Sequence, residues 1–198
     1  MIEDLAKSGL PPDKFIIEPL KTEAELEERL GFTALTDHKG NWIKIIDIGG
    51  YWISYPNVPG YYRLKLKEKI GDAKYLSPKD RGNHAYILPQ VAEVAKSYNP
   101  DKPIFITEGE KKAAKATIDG FPCIGLSGIR NFKDSEKDLL PDFDQYVWKD
   151  RIVYIVFDSD ITDKFQVKHA ELRLAVQLIN RGARVYSVRL PNDVEVKQ

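Results

Sequence analysis

Beyond Pro100, short apolar runs alternate with stretches of helical periodicity. Ile104-Phe105-Ile106-Thr107, Cys123-Ile124-Gly125-Leu126, Ile152-Val153-Tyr154-Ile155-Val156-Phe157 and Arg184-Val185-Tyr186-Ser187-Val188-Arg189-Leu190 read as strands. Glu110 to Ile118, closed by Asp119-Gly120, and Val167 to Asn180, closed by Gly182, carry apolar residues at helical spacing. A shorter helix is expected near Ser135 to Leu140. Strands buried on both faces and joined by helices predict an α/β fold with a parallel four-stranded sheet and right-handed crossovers.

The first hundred residues follow a different rhythm. Seven of the ten Tyr, two of the three Trp and eight of the twelve Pro fall there. A Pro-rich arm runs from Leu10 to Pro19, and Thr22 with Glu25 forms a capping box for a helix that stops at Gly31. Trp42 to Ile46 and Tyr51 to Tyr55 read as strands separated by Gly49-Gly50. Tyr62-Arg63-Leu64-Lys65-Leu66-Lys67 alternates strictly, which places Arg63, Lys65 and Lys67 on one face. Pro89 to Tyr98 reads as a helix ended by Asn99-Pro100. The expected organisation is a small mixed α+β subdomain over residues 1–100 and an α/β domain over 101–198.

Charge and cysteine content narrow the function classes. Thirty Lys+Arg balance thirty Asp+Glu over 198 residues, so bulk charge does not drive nucleic-acid coating. Between Tyr61 and Gly82, however, seven basic residues face three acidic ones. One Cys excludes a disulfide framework and a Cys-rich zinc ribbon, and Cys123 sits inside an apolar strand as a small hydrophobe. Met1 to Gly9 lacks the apolar run of a signal peptide, and no stretch approaches the ~18 apolar residues of a membrane span. A soluble, cytoplasmic protein with no membrane partner is expected.

Two of the four strands beyond Pro100 end in acid: the first in Glu108-Gly109, the third in Asp158-Ser159-Asp160. Ligands of open parallel sheets bind beyond the carboxyl ends of the strands. Were these two strands neighbours, three carboxylates would converge, and their mutual repulsion would call for a cation. Hard oxygen donors suit Mg²⁺ or Mn²⁺ with a phosphate as a further ligand. Taken singly, Asp158 or Asp160 reads more simply as a helix cap. P-loop, dinucleotide-fold and nucleophile-elbow motifs are absent from the sequence.

Ile104-Phe105-Ile106-Thr107-Glu108-Gly109-Glu110, followed by Val156-Phe157-Asp158-Ser159-Asp160, resembles the Toprim domain of bacterial-type primases, topoisomerases and some nucleases. The likeness spans about Lys102 to Leu190. Upstream, Lys74-Tyr75-Leu76-Ser77-Pro78 and Tyr86-Ile87-Leu88 are similar to a segment that precedes Toprim in bacterial (DnaG-like) primases. Thr107-Glu108-Gly109-Glu110-Lys111-Lys112-Ala113 is similar to a signature of primase-like proteins of phages, plasmids and mobile elements. The resemblance implies a Rossmann-like Toprim sheet, with Glu108, Asp158 and Asp160 as catalytic metal ligands. It further implies Lys74 in a nucleotide and template groove, and Gly109, Ser127 and Gly128 near the nucleotide. Lys112 stands where bacterial primases carry another acid, so it contacts a phosphate or faces solvent.

The function expected on this basis is metal-dependent nucleotidyl transfer in DNA replication: primer synthesis on single-stranded DNA from nucleoside triphosphates. Arg63, Lys65, Lys67 and Lys74 would hold phosphates, and Tyr61, Tyr62 and Tyr75 are candidate stacking residues for bases. A helicase, or other domains of a longer polypeptide, would be partners. The alternatives are a Toprim nuclease using the same carboxylates, and a non-catalytic nucleic-acid-binding module of a larger replication protein.

Overall fold

The computed structural model describes residues 1–15, 17–133, 139–157 and 165–189. It divides into two units, Met1–Gly82 and Asn83–Gln198, rather than near Pro100.

The first unit begins with a short helix, α1 (Ile2–Ala6), and strand β1 (Ile17–Pro19). Helix α2 (Glu23–Leu30) starts where the sequence predicts: the Thr22 hydroxyl accepts the Glu25 amide at 3.2 Å, and Glu25 reaches back to the Lys21 amide at 3.1 Å. It stops at Gly31, whose φ of 80° suits a residue without Cβ. Strands β2 (Ala34–Thr36) and β3 (Trp42–Lys44) form a hairpin. The predicted strand does not run on to Ile46. Ile45–Ile48 instead makes one helical turn, α3, ended by Gly49 at φ 71°. Strands β4 (Gly50–Ser54), β5 (Tyr62–Ile70) and β6 (Ala73–Leu76) then complete an antiparallel sheet of order β1-β4-β5-β6. Its core gathers Leu26, Leu30, Ile45, Trp52, Leu64, Leu66, Ile70 and Leu76.

The face opposite this core is also covered at Arg63 and Lys65, which are therefore not open to the phosphates expected of them. Arg63 and Lys65 are 7% and 6% exposed. The Lys65 ammonium lies 3.2 Å from the Asp4 carboxylate and over the Tyr51 ring, while Arg63 donates to Ser77 Oγ at 3.1 Å and lies over Tyr75. Strict alternation marks two faces but not which of them meets water. The Lys65 partner sits sixty-one positions upstream, beyond any local pattern. Lys67 and Lys74 are exposed.

The second unit begins with β7 (Ala85–Tyr86) and helix α4 (Pro89–Lys96). It continues through β8 (Ile104–Glu108), α5 (Glu110–Ile118), β9 (Cys123–Leu126), a 3₁₀ turn at Pro141–Phe143, β10 (Ile152–Val156), α6 (Phe165–Asn180) and β11 (Arg184–Val188). This is an α/β fold. Among the described residues its sheet has five strands in the order β11-β10-β8-β9-β7. The four expected strands are parallel, and the fifth, β7, pairs antiparallel with β9. That pairing takes residues upstream of Pro100 into this unit. The helix expected over Ser135 to Leu140 falls largely outside the described residues.

Arg151 ties this unit together from inside. It is 1% exposed, donating to the carbonyls of Val147 (2.9 Å), Lys102 (2.9 Å) and Ser97. Desolvation pulls its pKa below the ordinary arginine value.

Candidate metal centre at the carboxyl edge of the parallel sheet

The site is built outward from the pairing of β8 with its neighbours. Val156 is the register partner of Thr107, so Phe157 and Glu108 follow side by side at the carboxyl ends of β10 and β8. Adjacent strands lie about 4.8 Å apart. On the other side of β8, Glu108 pairs with Leu126 of β9, and Leu126 pairs in turn with Ala85 of β7. One edge thus holds Glu108, the Ser127–Gly128 loop and, because β7 runs antiparallel, His84.

The turn from β8 into α5 needs glycine twice. Gly109 takes φ 94° as the helix N-cap and donates its amide to the Leu126 carbonyl at 2.7 Å. Across from it, a Cβ on Gly125 would meet Ala113 Cβ at 3.0 Å, the Gly109 carbonyl oxygen at 3.1 Å and Glu110 Cα at 3.4 Å. Helix α5 therefore lies directly on β9, and this close approach fixes where Glu108 leaves the sheet. Glu108 is half-buried, Glu110 is 2% exposed in the first turn of α5, and Lys112 is exposed. A carboxylate in a first helical turn is favoured by the helix dipole.

The next loop is closed by Asn131, whose side chain donates to Ser127 Oγ at 3.1 Å and whose amide donates to the Gly128 carbonyl at 2.9 Å. Gly109, Ser127 and Gly128 are thereby brought to the edge that carries Glu108. Arg63, Lys65, Lys67 and Lys74 belong to the other unit. Asp158 and Asp160 lie outside the described residues, directly after Phe157 in sequence. Among the described residues no group of three His, Cys, Asp or Glu side chains is placed to hold a metal ion.

Two features of this region escaped the sequence reading. Asp142, 8% exposed, accepts from His84 Nδ1 at 3.2 Å with each carboxylate oxygen and from the Ala85 amide at 3.4 Å. Its negative charge, with burial as the larger cause, raises the Tyr146 phenol. Tyr86 is raised more strongly, by burial first and by Glu110 second. His84 and Asp142 are 58 positions apart, and no spacing rule connects them.

Residues 94–196 match the family described as "Domain of unknown function (DUF3854)". The match spans just over half of the chain, and the chain belongs to that family. No curated protein and no solved structure matches it.

Proposed function

We propose that the chain is the catalytic core of a metal-dependent, primase-like nucleotidyltransferase, its α/β unit being a Toprim-type sheet with the short antiparallel strand β7 added at one edge. The observation that carries this reading is the adjacency of β8 and β10 in parallel register, with Glu108 ending one and Phe157 leading into Asp158-Ser159-Asp160 on the other. Acids following two strands whose carboxyl ends lie at one edge would provide an all-oxygen donor set suited to a hard divalent cation.

Glu108, Asp158 and Asp160 would hold Mg²⁺ or Mn²⁺. When bound, such an ion polarises a phosphoryl oxygen of a nucleoside triphosphate and offsets its charge. The chain's own residues position. Gly109 and Gly125 let α5 close on β9 and so set the exit of Glu108. Asn131 holds the Ser127–Gly128 loop, whose backbone and hydroxyl are suited to triphosphate oxygens. Lys67 and Lys74, both exposed, supply cationic groups for a nucleic-acid backbone. Arg63 and Lys65 are engaged inside their unit and hold the sheet instead.

The test is incorporation of labelled nucleotides on a single-stranded DNA template with Mg²⁺ or Mn²⁺. Template-dependent products that are lost in Asp158→Asn and Glu108→Gln are expected. Strand cleavage without nucleotides, lost in the same variants, would replace polymerisation with nuclease chemistry. Undiminished product in both variants would refute the site.

A further inference from the structure

Among the described residues the most exposed large hydrophobic side chain is Trp42. It is 76% exposed, whereas Trp52 and Trp148 are 1% and 4% exposed. Its hairpin has two faces. Pairing of Leu35 with Ile43 turns both toward the hydrophobic core, and pairing of Thr36 with Trp42 and Ala34 with Lys44 puts those four residues on the outward face. A tryptophan offers one of the largest apolar surfaces of any side chain. At an outward position it contributes little to folding.

The hairpin presents this ring on a fixed support. Its three-residue loop is a turn closed by the Gly40 amide on the Asp37 carbonyl at 3.0 Å, followed by Gly40 itself at φ 83°. The Asp37 carboxylate accepts from the Lys39 amide (2.8 Å), the Asn41 amide (2.9 Å) and Asn41 Nδ2 (3.1 Å). Those bonds hold its pKa below the usual carboxylate value. Asp37 is thus committed to the turn. Lys39, at the tip, has no ionic partner among the described residues, and Lys44 carries one exposed contact, to Glu23 at 3.3 Å. An exposed pair of this kind is weak and yields readily to a phosphate.

We propose that the outward face of this hairpin binds single-stranded nucleic acid, with Trp42 stacking on a base and Lys39 and Lys44 meeting the flanking phosphates. An exposed aromatic face on a hairpin that also carries Lys39 at its tip and Lys44 on the same strand face is suited to a base with its flanking phosphates, and stacking of this kind tolerates any sequence. The proposal rests on the reading that the chain acts on nucleic acid, and it supplies the stacking residue that the tyrosines do not. Tyr61 is buried, Tyr62 lies under Arg29 (4.2 Å from its Cζ), and Tyr75 lies under Arg63 (5.1 Å).

The experiment titrates the full chain with fluorescein-labelled oligothymidine and oligouridine of about 12 nucleotides. Anisotropy reports binding, and iodide quenching of tryptophan emission reports Trp42, the exposed one of the three. Saturable binding that shields Trp42 from iodide is expected, together with roughly tenfold weaker binding in Trp42→Ala, near-normal binding in Trp42→Phe and a shallower salt dependence in Lys39→Ala. Saturable binding that leaves Trp42 open to iodide, with wild-type affinity in Trp42→Ala, would overturn the stacking platform and leave the nucleotidyltransferase reading standing. No saturable binding of either oligonucleotide would overturn both. Trp42→Ala removes an exposed side chain, and an unchanged far-ultraviolet circular dichroism spectrum verifies its fold.

Discussion

Thr107 and Val156 face one another as register partners in adjacent parallel strands. From that pair the chain needs one more residue on β8 to reach Glu108, and two more on the β10 side to reach Asp158. An acid after each strand is ordinary in isolation. Here the two strands lie side by side, and α5 packs on the next strand at Gly125, so the ends of β8 and β10, Glu108 and Phe157, are neighbours although 49 positions apart in sequence.

Gly125 tests that packing. Gly125→Ala puts a methyl against Ala113 Cβ and the Gly109 carbonyl, and backbone on the crowded side cannot step aside cheaply. A loss of about 1–3 kcal/mol is expected, measured as a lower denaturation midpoint with an unchanged m-value.

Arg151 binds three carbonyl oxygens from an interior position. Arg151→Ala leaves those acceptors without their donor, and a cost of at least about 2 kcal/mol follows from burying unsatisfied polar groups. Arg151→Lys recovers little, because an ammonium cannot reproduce the planar fork of donors. Chemical denaturation of the two variants checks both statements.

Asp142 accepts from both a ring nitrogen of His84 and the Ala85 backbone amide at the edge where β7 begins. Asp142→Ala is expected to cost about 1–3 kcal/mol, and Asp142→Asn less, since one carbonyl oxygen remains to accept. Hydrogen exchange should show the loss concentrated at the β7 and β9 amides.

Burial pushes the Cys123 thiol up to about 12 from an ordinary value near 9. The folded chain therefore keeps this proton at pH values where the unfolded chain releases it. Its contribution to stability is full below about pH 9 and declines as pH rises toward 12. At pH 8 a disulfide reagent should modify the native protein only at its rate of opening, and modify guanidine-unfolded protein at once. Equal rates in both states would place the thiol at the surface.

Much of the second unit was legible because its strands are apolar runs bounded by glycine or acid, and its helices carry intact periodicity. β7 was not, since Ala85-Tyr86 is too short to show a period and acquires strand geometry only from β9. Ile45 and Ile46 have strong strand propensity, yet they sit in and beside a buried position that a helical turn fills better. The β5 alternation was read correctly as two faces, but the burial of Lys65 depends on Asp4, and that information is tertiary. Glu108 was legible as an acid ending a strand. The His84–Asp142 pair and the exposure of Trp42 needed coordinates.

The most direct measurement is Mn²⁺ binding followed by electron paramagnetic resonance, with the wild-type chain beside Glu108→Gln and Asp158→Asn. A saturable site is expected in the wild type, weakened roughly tenfold or more in each variant while the fold is retained. No saturable Mn²⁺ binding in the wild type, or binding indifferent to both substitutions, would contradict a shared carboxylate site at the ends of β8 and β10.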